Sequence, residues 1–157
     1  MAKIERKFMA HFIETGEGTL VRLGKDLEEY APELSAQVEK SRNILGQTNV
    51  IISGYEKTAK VEPYYAEEGD PLFARLQEII DGNLTMEALK TNVVEVKLWQ
   101  PNGDNNSYPA IQEEAYIEVS GYGGDTSGYQ IPFTLHYTGE KVAGSFDITT
   151  KTFTPAQ

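Results

Sequence analysis

Residues 115–137 read AYIEVSGYGGDTSGYQIPFTLHY, two runs of alternating hydrophobicity on either side of a glycine-rich turn. In the first run Ile117 and Val119 alternate with Tyr116 and Glu118. In the second, Tyr129, Ile131, Phe133, Leu135 and Tyr137 share one face while Gln130, Thr134 and His136 take the other. A period of two marks a strand with one buried face, and two such runs around Gly123 to Gly128 form an antiparallel hairpin. Pro132 interrupts the second run. Because proline cannot donate to a ladder, it assigns that position to a sheet edge, a strand start or a bulge.

The pattern extends outward from this hairpin. Upstream, Val94, Val96 and Leu98 alternate with Glu95, Lys97 and Trp99 before Pro101-Asn102-Gly103-Asp104 ends the strand with turn residues. Downstream, Thr138-Gly139-Glu140 is expected to turn the chain into a further strand, Lys141 to Ile148, giving a meander. The N-terminal half offers strands at Phe8 to Ile13, Thr19 to Leu23, Gln37 to Lys40, Asn49 to Tyr55 and Lys60 to Tyr64. One helix is predicted from Pro71 to Asp81. Asp70 is its N-cap, Pro71 suits the first position, Gly82 is expected to close the far end, and Leu72, Phe73, Leu76, Ile79 and Ile80 form an apolar stripe. A short turn is expected over Thr85 to Leu89. Many strands and one amphipathic helix predict a mainly β protein, a β-sandwich or flattened barrel of two packed antiparallel sheets with one flanking α-helix.

The 157 residues contain no linker-like stretch and fit one domain, residues 1–157, since single cores are commonly built from roughly 100 to 200 residues. Cysteine is absent, which excludes a disulfide framework and a thiolate metal site. No stretch has signal-peptide or membrane-helix character, so no membrane partner is expected. The formal charge is -10, and Val61 to Glu87 sets seven carboxylates against Arg75 alone. Tight phosphate binding needs runs of Lys and Arg, and this chain has none.

A search for chemistry yields no catalytic, cofactor or metal residues. His11 and His136 have no partner at zinc-ligand spacing, and His136 reads as an exposed strand residue. The doublets Glu28-Glu29, Glu67-Glu68 and Glu113-Glu114 would point to opposite faces of a strand, which does not build an acid/base pair. Asp104-Asn105-Asn106 lacks the calcium-loop order of ligands and reads as a turn. The closely spaced glycines of Gly121 to Gly128 lie between strands, whereas a phosphate loop opens a helix. Five of the nine tyrosines, Tyr55, Tyr64, Tyr65, Tyr122 and Tyr129, fall near strand ends. Such rings suit half-buried strand positions, protein interfaces or a carbohydrate cleft.

Several stretches together resemble the major tail (tail tube) proteins of siphophages infecting Gram-positive bacteria. They are Val61 to Phe73 (VEPYYAEEGDPLF), Val93 to Trp99 (VVEVKLW), Tyr122 to Phe133 (YGGDTSGYQIPF) and the ending from Phe146-Asp147 to Phe153-Thr154. The similarity covers nearly the whole chain. It implies a fold akin to the tube of type VI secretion, and a non-enzymatic virion protein. Six subunits would join edge to edge into rings that stack through the N-terminal arm, a long loop and the C-terminal segment. Implied partners are copies of the chain itself, the tape measure protein, the tail terminator and the tail tip, with DNA passing through the lumen without specific binding. Assembly would take place in the host cytoplasm, and no C-terminal immunoglobulin-like domain is expected.

On this resemblance, Met1 to Gly18 is expected to behave as a flexible arm, and a mobile loop is expected between Ser41 and Glu68. Subunit contacts are placed at Tyr64, Tyr65, Tyr129, Ile131 and Phe133, with Tyr129 to Tyr137 as the ring edge and Ser41 to Glu68 in stacking. An acidic lumen would repel DNA phosphates. Two other readings share the composition: a carbohydrate- or ligand-binding β-sandwich with a concave tyrosine patch, and the tube subunit of a phage-tail-like bacteriocin.

Overall fold

The computed structural model describes residues 2–16, 19–24, 30–62, 64–100 and 106–156. The turn at Pro101 to Asp104, the Asp104-Asn105 part of the calcium-like triplet and the Glu28-Glu29 doublet lie outside them. Among the described residues ten strands and one helix follow in the order β1 (Met9–Gly16), β2 (Thr19–Leu23), β3 (Glu33–Arg42), β4 (Thr48–Val61), α1 (Pro71–Gly82), β5 (Lys90–Lys97), β6 (Ser107–Val119), β7 (Gly123–Asp125), β8 (Gly128–Gln130), β9 (Phe133–Asp147) and β10 (Thr152–Pro155). Short 3-10 turns occupy Arg6–Phe8 and Met86–Leu89. The architecture is mainly β with two antiparallel sheets and one helix, as the sequence predicts.

The larger sheet runs β2-β1-β5-β6-β9-β4-β3, with β10 on β9 beside the same stretch that pairs with β6. The smaller sheet is the pair β7-β8. The hairpin read from residues 115–137 is present: β6 pairs with β9, Val119 facing Phe133, and β7-β8 forms within the glycine-rich turn. Pro132 sits just before β9, where its carbonyl accepts from Ser120 N at 3.1 Å and Ser120 Oγ at 3.0 Å.

Thr138-Gly139-Glu140 does not turn the chain. β9 runs straight through it, and the three residues bulge opposite the single Glu114, between the pairs Glu113–Lys141 and Ala115–Tyr137. Gly139 at φ +95° allows the detour, and the Thr138 hydroxyl accepts from Glu140 N. Turn and bulge require the same residue types, and the continuous partner β6 decides between them.

The middle of the larger sheet is covered on both faces. On one, Leu72, Leu76 and Ile79 of α1 pack against Ile13, Val61, Val93, Ile117, Phe133 and Leu135. On the other, Phe12, Val94, Val96 and Phe146 form a second cluster, with the Phe12 and Phe146 rings 4.5 Å apart. This explains why Val93 and Val94 are both fully buried although adjacent strand residues point to opposite faces. The Asp70 carboxylate accepts from Leu72 N at 3.0 Å, as expected of the N-cap. The far end differs from expectation: Gly82 remains helical and Asn83 takes the left-handed conformation at φ 48°. Asparagine tolerates that region better than other side chains do.

The arm expected over Met1 to Gly18 is corrected from Met9 to Gly16, which form strand β1. Met9 to Ile13 pairs with β5, and His11, Phe12 and Ile13 are buried, so this stretch is an interior strand. Met1, Glu17 and Gly18 lie outside the described residues. Within Ser41 to Glu68, where a mobile loop is expected somewhere, fourteen residues form β4 and residues 43–47 form a hydrogen-bonded turn.

Candidate assembly surface

β3 and β4 form a long hairpin, paired from Glu33–Thr58 to Arg42–Thr48. Only its root belongs to the body, where Thr58 to Val61 pairs with β9. All ten residues of β3 are exposed, as is β4 from Thr48 to Ser53. Cross-strand partners share a face, so Leu34, Ala36, Val38 and Lys40 lie beside Lys57, Tyr55, Ile52 and Val50. That face is largely apolar, with Val50, Ile52 and Tyr55 each more than half exposed. The opposite face carries Ser35, Gln37, Glu39, Ser41, Asn49 and Glu56, with Ile51 as its large apolar residue. The hairpin is thus amphipathic in the manner of a core strand pair, and among the described residues none covers the apolar side.

The tip is built rather than loose. Asn43 Oδ1 accepts from Leu45 N and Gln47 N, each at 3.0 Å, and Asn43 Nδ2 donates to Gln47 Oε1 at 2.8 Å. Gly46, at φ +81°, donates its N–H to Asn43 O. The turn holds Ile44 and Leu45 out in water at 103% and 77% exposure.

A polar cluster marks the root. Lys57 Nζ lies 2.6 Å from Glu113 Oε1 and 4.6 Å from the centre of the Tyr137 ring. Tyr137 and Tyr30 meet hydroxyl to hydroxyl at 3.4 Å, and the Tyr30 ring packs edge-on against His11, whose Nε2 is 3.1 Å from Glu95 Oε1. Burial pushes the Tyr30 phenol up to about 12 and, with Tyr30 beside it, carries Tyr137 well above the usual tyrosine range. The His11 hydrogen bond holds the Glu95 carboxyl below its usual range. Lys57 and Glu113 are both largely buried, so each needs the other.

The structure brings the five expected contact residues together, but mostly inward. Ile131 N donates to Tyr64 O at 3.0 Å and Ala66 N to Tyr129 O at 2.9 Å, clasping the segment before α1 onto β8 and the start of β9. Tyr64, Ile131 and Phe133 are buried in the chain's own core, and the Tyr64 hydroxyl donates to Asp70 Oδ2 at 2.5 Å. These three offer no surface to a neighbour. Tyr65 bridges to Gln130 and is partly buried. Tyr129 keeps some exposure, packs edge-on against Phe73 and donates to Gln77 Oε1 at 2.7 Å. The edge expected at Tyr129 to Tyr137 is also corrected, since β9 lies between β6 and β4 over Phe133 to His136. The outermost strands are β2 and β3. Nor do the tyrosines make one concave patch, because Tyr55 stands on the hairpin and Tyr64 is in the core.

The exposed apolar face of β3-β4 was missed by the reading of single strands. Its signal was the alternation Leu34, Ala36, Val38 against Ser35, Gln37, Glu39.

No family model matches the sequence, and no curated protein matches it. Among solved structures that match is the hybrid structure of the SPP1 tail tube by solid-state NMR and cryo-EM. The TM-score is 0.64 at 15% identity, over 90% of this chain and 78% of that one. The fold is that of a phage tail tube.

Proposed function

We propose that the chain is a structural, non-enzymatic subunit of a virion tail tube, and that copies of it close into rings, most simply of six, which stack into the conduit for DNA ejection. The observation that carries this reading is the β3-β4 hairpin. Its apolar face is patterned like a core strand and exposed to water, and a second copy would cover it. Each large apolar side chain so covered would contribute about 1 kcal/mol or more to assembly. The shared fold with the SPP1 tail tube supports the same reading.

The tape measure protein, tail terminator and tail tip are the further partners this role entails, and assembly would take place in the host cytoplasm. The charge of -10 suits a lumen wall that repels phosphates, so that DNA slides without adhering.

Sedimentation and electron microscopy across a concentration series test the proposal. Rings or tubes that grow with concentration are expected. A strictly monomeric species at every concentration, alone and beside tail-tip components, would overturn it.

A further inference from the structure

We propose that the hairpin tip of one copy seats in an apolar groove at the C-terminal end of α1 in another copy. This rests on the tube reading above and adds the receptor for the tip. The groove lies between the end of α1, the turn after it and the end of β6, and has a volume of about 530 Å³. Ile79, Ile80, Leu84, Leu89, Val119 and Tyr122 line it. Ile80, Leu84, Leu89 and Val119 remain only partly buried, and Tyr122 is 68% exposed at the rim.

Three features match the tip to this groove. The first is shape and polarity. Ile44 and Leu45 project together from a turn that Asn43 fixes, and a knob ordered in advance loses little freedom on docking. Two aliphatic side chains suit a pocket with aliphatic walls.

The second is charge. In a chain of net charge -10 the tip is locally basic, with Lys40 and Arg42 against Glu39, and Arg42 Nε reaches Gly46 O so that the guanidinium stays beside the knob. Residues 76–89 carry Glu78, Asp81 and Glu87 with no Lys or Arg, and Glu118 lines the groove. His136 lies 3.5 Å from Glu118 and Lys90 lies 4.0 Å from Glu87, and both carboxylates stay largely exposed. Opposite charges around an apolar contact set its orientation and speed its formation.

The third is symmetry. Tip and groove are different surfaces, so every copy can give one and receive one. Such heterologous contacts propagate into rings or open filaments rather than stopping at a dimer.

Cross-linking tests the assignment, and the absence of native cysteine gives it a clean background. The full-length double variant Leu45→Cys/Tyr122→Cys changes two exposed positions. It is assembled alone, or with a minor share of unsubstituted chain in case the pair assembles poorly, and then treated with a short bismaleimide. A ladder of linked oligomers from the double variant, with neither single variant passing beyond dimer, is the expected result. Tubes that form without the ladder would overturn the groove assignment and leave the tube reading standing. Failure of the unsubstituted chain to assemble at all would overturn both.

Discussion

One strand, β4, passes through two environments. From Ala59 to Val61 it lies in the body, with Ala59 1% and Val61 0% exposed, whereas Val50, Ile51 and Ile52 are each more than half exposed ten residues earlier. The two stretches have similar side chains, so residue type did not decide their burial. Neighbours decided it: β9 and the helix-side core cover the first, and among the described strands β3 alone pairs with the second. An apolar strand pair without a cover is marginal in water, and on the function proposed above a second copy covers it.

The contrast can be broken most severely from the body side. Phe133→Ala empties a fully buried site beneath α1 and should lower stability by about 3–5 kcal/mol, read from urea unfolding. At the boundary between the regions, Lys57→Ala leaves the Glu113 carboxylate buried without its partner, with an expected loss of about 3 kcal/mol. The double change Lys57→Met/Glu113→Leu should recover most of that loss. If it does not, the pair contributes more than mutual neutralisation.

A smaller effect concerns pH. The Glu95 carboxyl is held down in the folded state by His11, so its contribution to stability is present above the ordinary carboxylate range and fades as pH falls through that range. Glu95→Gln should flatten the acid limb of a stability profile measured by thermal unfolding, and an unchanged limb would remove the pair from the account.

The smallest expected change in the monomer is the most telling for function. Val50→Ser/Ile52→Ser on the hairpin should alter unfolding free energy by no more than about 0.5 kcal/mol, as surface substitutions do. The same variant should lose tubes in electron micrographs. A large loss of monomer stability would mean that the chain covers this face itself.

Legibility in the sequence followed the same division. The hairpin of β6 and β9 and the core of α1 were readable because alternation, the Asp70 cap and helical spacing are properties of a few consecutive residues. The N-terminal half of β6 was not, since Pro109 and the run Gln112-Glu113-Glu114 disguise a strand whose buried Glu113 is neutralised by Lys57, fifty-six residues away. Tyr64, Ile131 and Phe133 were legible as members of strands or their flanks. Their inward orientation depended on the clasp between residues 64–66 and 129–131 and on the helix above it.

By itself the sequence determined the β class, the single main helix and the absence of cysteine chemistry, because these follow from composition and short-range periodicity. Only the tertiary structure decided that Thr138-Gly139-Glu140 bulges instead of turning, that Met9–Gly16 is an interior strand and that the described residues leave the β3-β4 hairpin exposed. Periodicity specifies that a strand has an apolar face, while what meets that face is set by segments far away in the chain or, for this hairpin on the reading proposed above, in another copy.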